Sequence, residues 1–273
     1  MSIDRAGLDR GRVTSLLADA EWTLPMPIIL ETTTSTNAEV TALALAGAGE
    51  GTCVVAEEQT AGRGRQGRDW SSPPSAGLWM SFLVRPGNVP RSRWGWLPLL
   101  AGLAVRDAIA TVGRVPVGLK WPNDLVVDAG AGGGIRKLGG ILSEAIGSKD
   151  AAGGDAVVIG IGINAALHAD ELPTPQATSL LVEGGSADRE ALLAAVLRHL
   201  VARLEQWRND DPQLIRDYRG ACVTLGRIVE VLLPGGLIER GEAASIDDDG
   251  HLQVISGGKL VSVTAGDVIH ATI

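Results

Sequence analysis

Between residues 59 and 70 the chain reads Gln59-Thr60-Ala61-Gly62-Arg63-Gly64-Arg65-Gln66-Gly67-Arg68-Asp69-Trp70. Arginine presents a planar fork of donors that matches carboxylate and phosphate. Glycine permits positive φ and close approach of a ligand to the main chain. Tryptophan adds a flat face on which a base or ring can stack. Arg63, Arg65 and Arg68 repel one another, so the stretch is expected to order around an anion that neutralises them. This composition suits a loop that closes over a small anionic ligand. Gly62, Gly64 and Gly67 also have the spacing of a dinucleotide fingerprint, which counts only when a helix follows. Ser71-Ser72-Pro73-Pro74-Ser75 cannot begin a long helix.

Four further stretches carry reactive or polar groups. Lys120-Trp121-Pro122-Asn123-Asp124 places a cation, an amide and a carboxylate around a rigid Trp-Pro pair at the junction of two strands. A plain turn explains Pro-Asn-Asp; it does not call for Lys120. After a glycine-rich loop (129–135) comes Lys137-Leu138-Gly139-Gly140-Ile141-Leu142, whose paired glycines signal close backbone approach. Ser35, Thr36 and Asn37 offer two hydroxyls and an amide at a strand-to-helix turn, suited to a neutral polar ligand. Thr36 and Glu39 also have the spacing of a capping box, so helix capping is a second use for the same residues. In Ile159-Gly160-Ile161-Gly162-Ile163-Asn164 the alternating glycines leave one face of a strand bare, room for a flat ligand, and the strand ends in an amide.

The elements that must position these groups follow from periodicity. Strands are expected at 28–31, 53–57, 78–84 and 157–164, with a hairpin across 125–144. Helices are expected at 8–20, from 36 to about 46, at 91–111 with Pro98 in its first part, at 187–207 and from Pro212. From about Gly220 the texture shifts to short alternating strands, with turns at Pro234-Gly235-Gly236, Asp247-Asp248-Asp249-Gly250 and Gly257-Gly258. That reads as a small β-barrel, giving two domains, 1–222 and 223–273. The aspartate run reads as a solvated turn.

Composition narrows the function classes. The 273-residue chain is 45% hydrophobic and 21% charged, which is globular. A net charge of −8 argues against broad nucleic-acid binding and makes the arginine loop a local positive spot. Cys53 and Cys222 give no disulfide framework and fit a reducing cytoplasm. The N-terminus lacks signal-peptide design, and no run of about eighteen apolar residues marks a membrane span. The four histidines sit at no metal-ligand spacing.

Taken together, residues 62–70, 120–124 and 137–142, with Ser35-Thr36-Asn37 and 159–164 in order, resemble the biotin protein ligases across roughly residues 28–270. The resemblance implies an α+β fold: a mixed or antiparallel sheet flanked by helices, as in class II synthetases, plus a C-terminal SH3-like β-barrel. It implies a cytoplasmic ligase that joins biotin to ATP with Mg2+ as biotinyl-5′-AMP. The biotinyl group then passes to one lysine of a biotin carboxyl carrier domain of an acyl-CoA carboxylase. By resemblance Arg65 and Lys137 are catalytic. Ser35, Thr36, Asn37, Gln59, Gly62, Arg63, Gly64, Arg65 and Lys137 bind biotin. Arg65, Arg68, Trp70, Lys120, Asn123, Lys137 and Asn164 bind ATP or the adenylate, and a metal would lie near Asp124. Some members carry an N-terminal DNA-binding domain; the residues before Ser35 are too few for one, so neither specific DNA nor a membrane is expected as a partner. The alternatives are a lipoate or octanoate ligase of the same fold, whose pocket needs a long apolar tunnel, and a biotin-responsive regulator.

Overall fold

Apolar residues alternate sides along the central strands, so the sheet they form needs cover on both faces. The computed structural model describes residues 5–18, 22–128, 134–147, 154–233, 236–264 and 266–270. The 129–133 part of the glycine-rich loop and part of the Pro234 turn lie outside these residues. In chain order the elements are α1 (Arg10–Ala18), β1 (Ile28–Thr33), α2 (Thr36–Leu45), β2 (Cys53–Gln59), β3 (Gly62–Arg63), β4 (Asp69–Trp70) and β5 (Gly77–Val84). There follow α3 (Trp96–Ala108), β6 (Gly118–Lys120), β7 (Asp124–Asp128), β8 (Ile135–Ile146), β9 (Ala156–Asn164), α4 (Arg189–Arg208) and α5 (Pro212–Ala221). The last five are β10 (Ile228–Leu232), β11 (Ile238–Ile246), β12 (Leu252–Ser256), β13 (Lys259–Val263) and β14 (Asp267–His270).

The main sheet runs β1-β2-β5-β9-β8-β7-β6. Only β1 and β2 pair in parallel; the rest is antiparallel. One face, through Val55, Phe82 and Ile159, packs on α3 and α4. The other, through Val54, Leu83 and Val158, takes Val40 and Ala44 of α2. The helix expected at 91–111 is three pieces: a 3₁₀ turn, α3, and a π-turn at Ile109–Gly113. Arg91–Gly113 is long and apolar enough to cross a membrane by composition, but most of it is buried inside the molecule.

β10 to β14 form a second, antiparallel sheet ordered β13-β12-β11-β10-β14. Its inward residues Val229, Val231, Ile246 and Leu252 join the same core as α3 and α4. The aspartate turn is not merely solvated, which corrects the sequence expectation. Trp96 Nε1 donates to the Asp248 carbonyl at 2.7 Å and Trp121 Nε1 to that of Gly250 at 3.1 Å. Two tryptophans on the main-sheet side therefore hold the barrel by its turn, satisfying indole donors that burial would otherwise orphan.

One buried ion pair ties the N-terminal segment to the sheet. Arg189 Nη1 meets Glu57 Oε2 at 2.6 Å, Arg189 Nη2 donates to the Ala6 carbonyl at 2.6 Å, and the amide of Leu8 donates to Glu57 Oε1 at 2.5 Å. Arg189 and Glu57 are 6% and 8% exposed. Removing one partner leaves a charge in low dielectric, so Arg189→Met is expected to destabilise the protein by about 3–5 kcal/mol. Urea unfolding measures this; a loss below about 1 kcal/mol would show that solvent reaches the carboxylate.

Candidate active site

α2 covers only part of its sheet face. Beyond its N-terminus the same face carries Ser81, Gly140, Gly160 and Gly162, with Ser81 opposite Gly160 and Gly140 opposite Gly162 in register. Short side chains there leave a cleft of about 320 Å³, near the lower end of the range of about 300–1,000 Å³ for small-molecule sites. The bare strand face expected at Gly160 and Gly162 lines the cleft and also seats two side chains. A Cβ at Gly160 would lie 2.2 Å from Asn37 Oδ1, and one at Gly162 would lie 3.2 Å from the Trp70 ring. The glycines seat two of the cleft's own side chains.

Residues 62–70 form a small hairpin over the cleft, β3 pairing with β4. Gly62 is required because a Cβ there would fall 2.4 Å from the Trp70 carbonyl. Gln66 and Gly67 turn the chain with φ of 55° and 71°. Arg65 donates to Asn123 Oδ1 at 3.1 Å and to the Gly266 carbonyl at 3.2 Å, with Asp267 Oδ1 3.6 Å away. Arg68 grips both carboxylate oxygens of Asp267 at 3.2 and 3.0 Å. The sequence leaves the arginines to a ligand; the barrel's β14 supplies an anion from within the chain. Burial pushes the Arg65 pKa down, opposed by Asp267 and Asp124.

Arg68 is largely exposed, and a solvated pair of this kind is worth at most about 1 kcal/mol. Asp267→Ala is accordingly expected to raise the KM for the ATP that the resemblance implies by about two- to fivefold, with the fold intact. Steady-state kinetics checks it. Tighter ATP binding would mean that Asp267 competes with the phosphates for the arginines.

Lys137 enters from β8. Its Nζ is 2.6 Å from Asp124 Oδ1 and 5.6 Å from the centroid of the Trp70 ring. Main-chain bonds hold it on both sides: Lys137 N to the Gln176 carbonyl at 2.7 Å, and Thr178 N to the Lys137 carbonyl at 2.8 Å. Trp70 packs edge-on to Trp79, ring centroids 5.9 Å apart. The indole N–H of Trp70 is buried with no partner among the described residues.

The opposite end is polar and uncharged. Gln59 Oε1 accepts from the amide of Thr36 at 2.8 Å and lies 3.1 Å from Thr36 Oγ1. The expected capping box is therefore not formed. Ser35 is the N-cap but makes no side-chain cap bond. Glu39 instead accepts from Thr33 Oγ1 at 2.6 Å, and the acceptor for the helix terminus comes from the end of β2.

Of the residues singled out in the sequence, Ser35, Thr36, Asn37, Gln59, Arg63, Gly64, Arg65, Arg68, Trp70, Asn123, Lys137 and Asn164 line the cleft. Gly62, Lys120 and Asp124 do not. Lys120 and Asp124 are cross-strand partners beside a separate crevice that includes Tyr218. Burial lowers the Lys120 pKa, with Asp124 opposing. Asn123 spends both ends of its amide, accepting from Arg65 and donating to the Ile141 carbonyl at 2.9 Å. Asn164 donates to the Thr178 carbonyl at 2.9 Å. Sequence reading missed Pro173, Thr174, Gln176 and Ala177, which wall the cleft. No motif marks them, because they reach it by main-chain pairing with Lys137.

Cations in the middle, an uncharged polar end and an aromatic end can gather two anionic groups and a planar ring. Among the described residues no group of three or more His, Cys, Asp or Glu side chains could hold a metal.

The geometry has counterparts. Residues 29–164 match the model of the biotin/lipoate A/B protein ligase family, and 224–271 that of the biotin protein ligase C terminal domain. The biotin--[acetyl-CoA-carboxylase] ligase of Mycobacterium tuberculosis is 45% identical over 225 residues, 81% of this chain and 79% of that protein. The bifunctional ligase/repressor BirA of Bacillus subtilis is 31% identical over 224 residues, and the match spans 66% of its length. The structure of the Aquifex aeolicus biotin protein ligase in complex with biotin and ATP superposes with a TM-score of 0.75 at 28% identity, covering 90% of this chain and 99% of that one. That of the Leishmania major biotin protein ligase with biotinyl-5-AMP does so with a TM-score of 0.60 at 28% identity, covering 92% and 100%.

Proposed function

The chain belongs to the biotin/lipoate A/B protein ligase family, and we propose that its arginine-hairpin cleft is where a biotin protein ligase joins biotin to ATP. The protein is an ATP-dependent ligase that activates biotin as biotinyl-5′-AMP and transfers it to a carboxylase. The assignment of residues to steps rests on one observation: Arg65 and Lys137 line the same cleft between an uncharged polar end and Trp70.

Adenylation brings a carboxylate against a triphosphate, and fixed positive groups offset their repulsion. Ser35, Thr36 and Gln59 would take the ureido ring, which sends the carboxylate toward Arg65 and Lys137. Trp70 would stack on the adenine. Arg68, Asn123 and Asn164 would border the nucleotide. Asp124 and Asn123 are too few donors for a resident magnesium site, but they suit a metal that arrives with the triphosphate and keeps most of its water and phosphate ligands. The biotin carboxylate is already ionised, so positioning rather than proton abstraction is the protein's task. The acceptor is proposed to be the lysine of a biotin carboxyl carrier domain, the compartment the cytoplasm, and the division between catalytic domain and barrel near residue 223.

Incubation with ATP, biotin and a carrier domain, followed by mass spectrometry, tests the reading. One biotinyl group on one carrier lysine is the expected product. Lipoyl or octanoyl transfer in its place would favour the sister activity of the family.

A further inference from the structure

Glu144 belongs to none of the motifs above, yet its carboxylate begins a chain of hydrogen bonds that ends in the cleft. Glu144 Oε2 accepts from Asn37 Nδ2 at 2.5 Å. The second Nδ2 proton faces the Leu142 carbonyl at 3.4 Å. Asn37 Oδ1 accepts from Ser81 Oγ at 2.6 Å, and Ser81 Oγ lies 2.7 Å from Thr36 Oγ1. Asn37, Ser81 and Thr36 are 6%, 0% and 3% exposed, so solvent does not interrupt the series.

Proton counting gives the chain a direction. A carboxylate only accepts. Asn37 must therefore turn its NH2 to Glu144 and its carbonyl oxygen to Ser81. The single hydroxyl proton of Ser81 is thereby committed to Asn37. With that proton spent, the 2.7 Å approach of Ser81 Oγ to Thr36 Oγ1 is relieved only by the proton of Thr36, which this shorter contact takes in preference to the 3.1 Å one from Thr36 Oγ1 to Gln59 Oε1. Thr36 Oγ1 is left with lone pairs only, while Gln59 Oε1 keeps the Thr36 amide as its donor.

We infer that Glu144, acting through Asn37 and Ser81, makes Thr36 Oγ1 an obligate hydrogen-bond acceptor, so that this end of the cleft selects a ligand bearing an N–H and rejects one with oxygen in its place. The inference rests on the reading that the ureido ring lies at Ser35, Thr36 and Gln59. Glu144 is a positioning residue: it does not line the cleft and sets specificity through three intervening side chains. Buried polar chains of fixed sense discriminate strongly, because the wrong ligand leaves lone pair facing lone pair.

The test uses the two cyclic carbamate analogues of biotin, in each of which one ureido N–H is replaced by a ring oxygen. Calorimetry on the full chain compares them with biotin. Wild type is expected to bind one of them at least about a hundredfold more weakly than biotin. Glu144→Gln keeps the size but can donate, so Asn37 can turn over, giving up its long 3.4 Å contact to the Leu142 carbonyl; the chain then runs in the reverse sense and Thr36 can give its proton to the analogue's oxygen. The disfavoured analogue should then bind about tenfold tighter than to wild type, with biotin affinity changing less. A merely structural role for Glu144 produces losses, not this gain. If wild type discriminates but the variant shows no gain, the relay is overturned and the ureido placement stands. If wild type binds both analogues as well as biotin, the placement falls and takes the inference with it.

Discussion

Lys137→Met should slow formation of biotinyl-5′-AMP by about 10²–10³-fold, the usual consequence of removing one fixed donor aimed at developing charge. Methionine keeps the length of the side chain and its packing beside Trp70, so the change isolates the charge. A second effect acts in the same direction. Asp124 loses its 2.6 Å partner, and its side chain is only 22% exposed. An unpaired carboxylate just behind the position of the lost ammonium repels the phosphates that Lys137 attracts. The double variant with Asp124→Asn should therefore recover part of the loss, since the repulsion goes with the charge. Single-turnover release of pyrophosphate, with biotin and ATP saturating, measures the chemical step. A loss below about fivefold, or a double variant slower than the single one, would remove Lys137 from the reacting centre.

What the sequence discloses about this site is local, and what it withholds is contact between distant segments. Short continuous apolar runs place the central strands, alternation places the barrel strands, and helical spacing of apolar residues places the long helices, because each pattern reports the surroundings of one element. The glycine and arginine composition of the hairpin reports its chemistry in the same local way. Asp267 carries no such mark. It is a lone carboxylate in a short barrel strand, 199 residues from the arginine it grips. Gln59 is similar: its identity suggests a ligand contact, but its service as acceptor for the terminus of α2 depends on β2 ending beside that helix. The 173–177 wall is held by backbone bonds, which any residue type can make. Lys120 shows the converse. It sits three residues from Asn123, yet strand pairing turns it with Asp124 toward a separate crevice, while the turn carries Asn123 to the cleft.

On the proposed function the hairpin also holds a reactive intermediate until the carrier arrives, and Arg65 is proposed as the residue by which it is held. Its guanidinium joins three segments at once: its own hairpin, Asn123 in the turn before β7, and the Gly266 carbonyl at the foot of the barrel. Its side chain is 20% exposed, so water replaces these contacts poorly. Arg65→Gly removes the charge-assisted contact to the adenylate, worth about 1.5–3 kcal/mol, and adds backbone freedom to a segment that must be ordered to close. Affinity for biotinyl-5′-AMP should fall by about 10- to 100-fold. In the proposed arrangement Lys137 still faces the carboxylate, so the first step should slow less than the affinity drops. Adenylate would then leave before transfer and acylate exposed lysines on unrelated proteins. Incubating the variant with ATP, biotin and a bystander protein, then blotting for biotin, reads the leak directly. Wild type should label the carrier and leave the bystander almost clean. The decisive contrary result is a clean bystander with the variant while free adenylate still forms at a measurable rate. Retention would then lie elsewhere, with Trp70 and the 173–177 wall the next segments to vary.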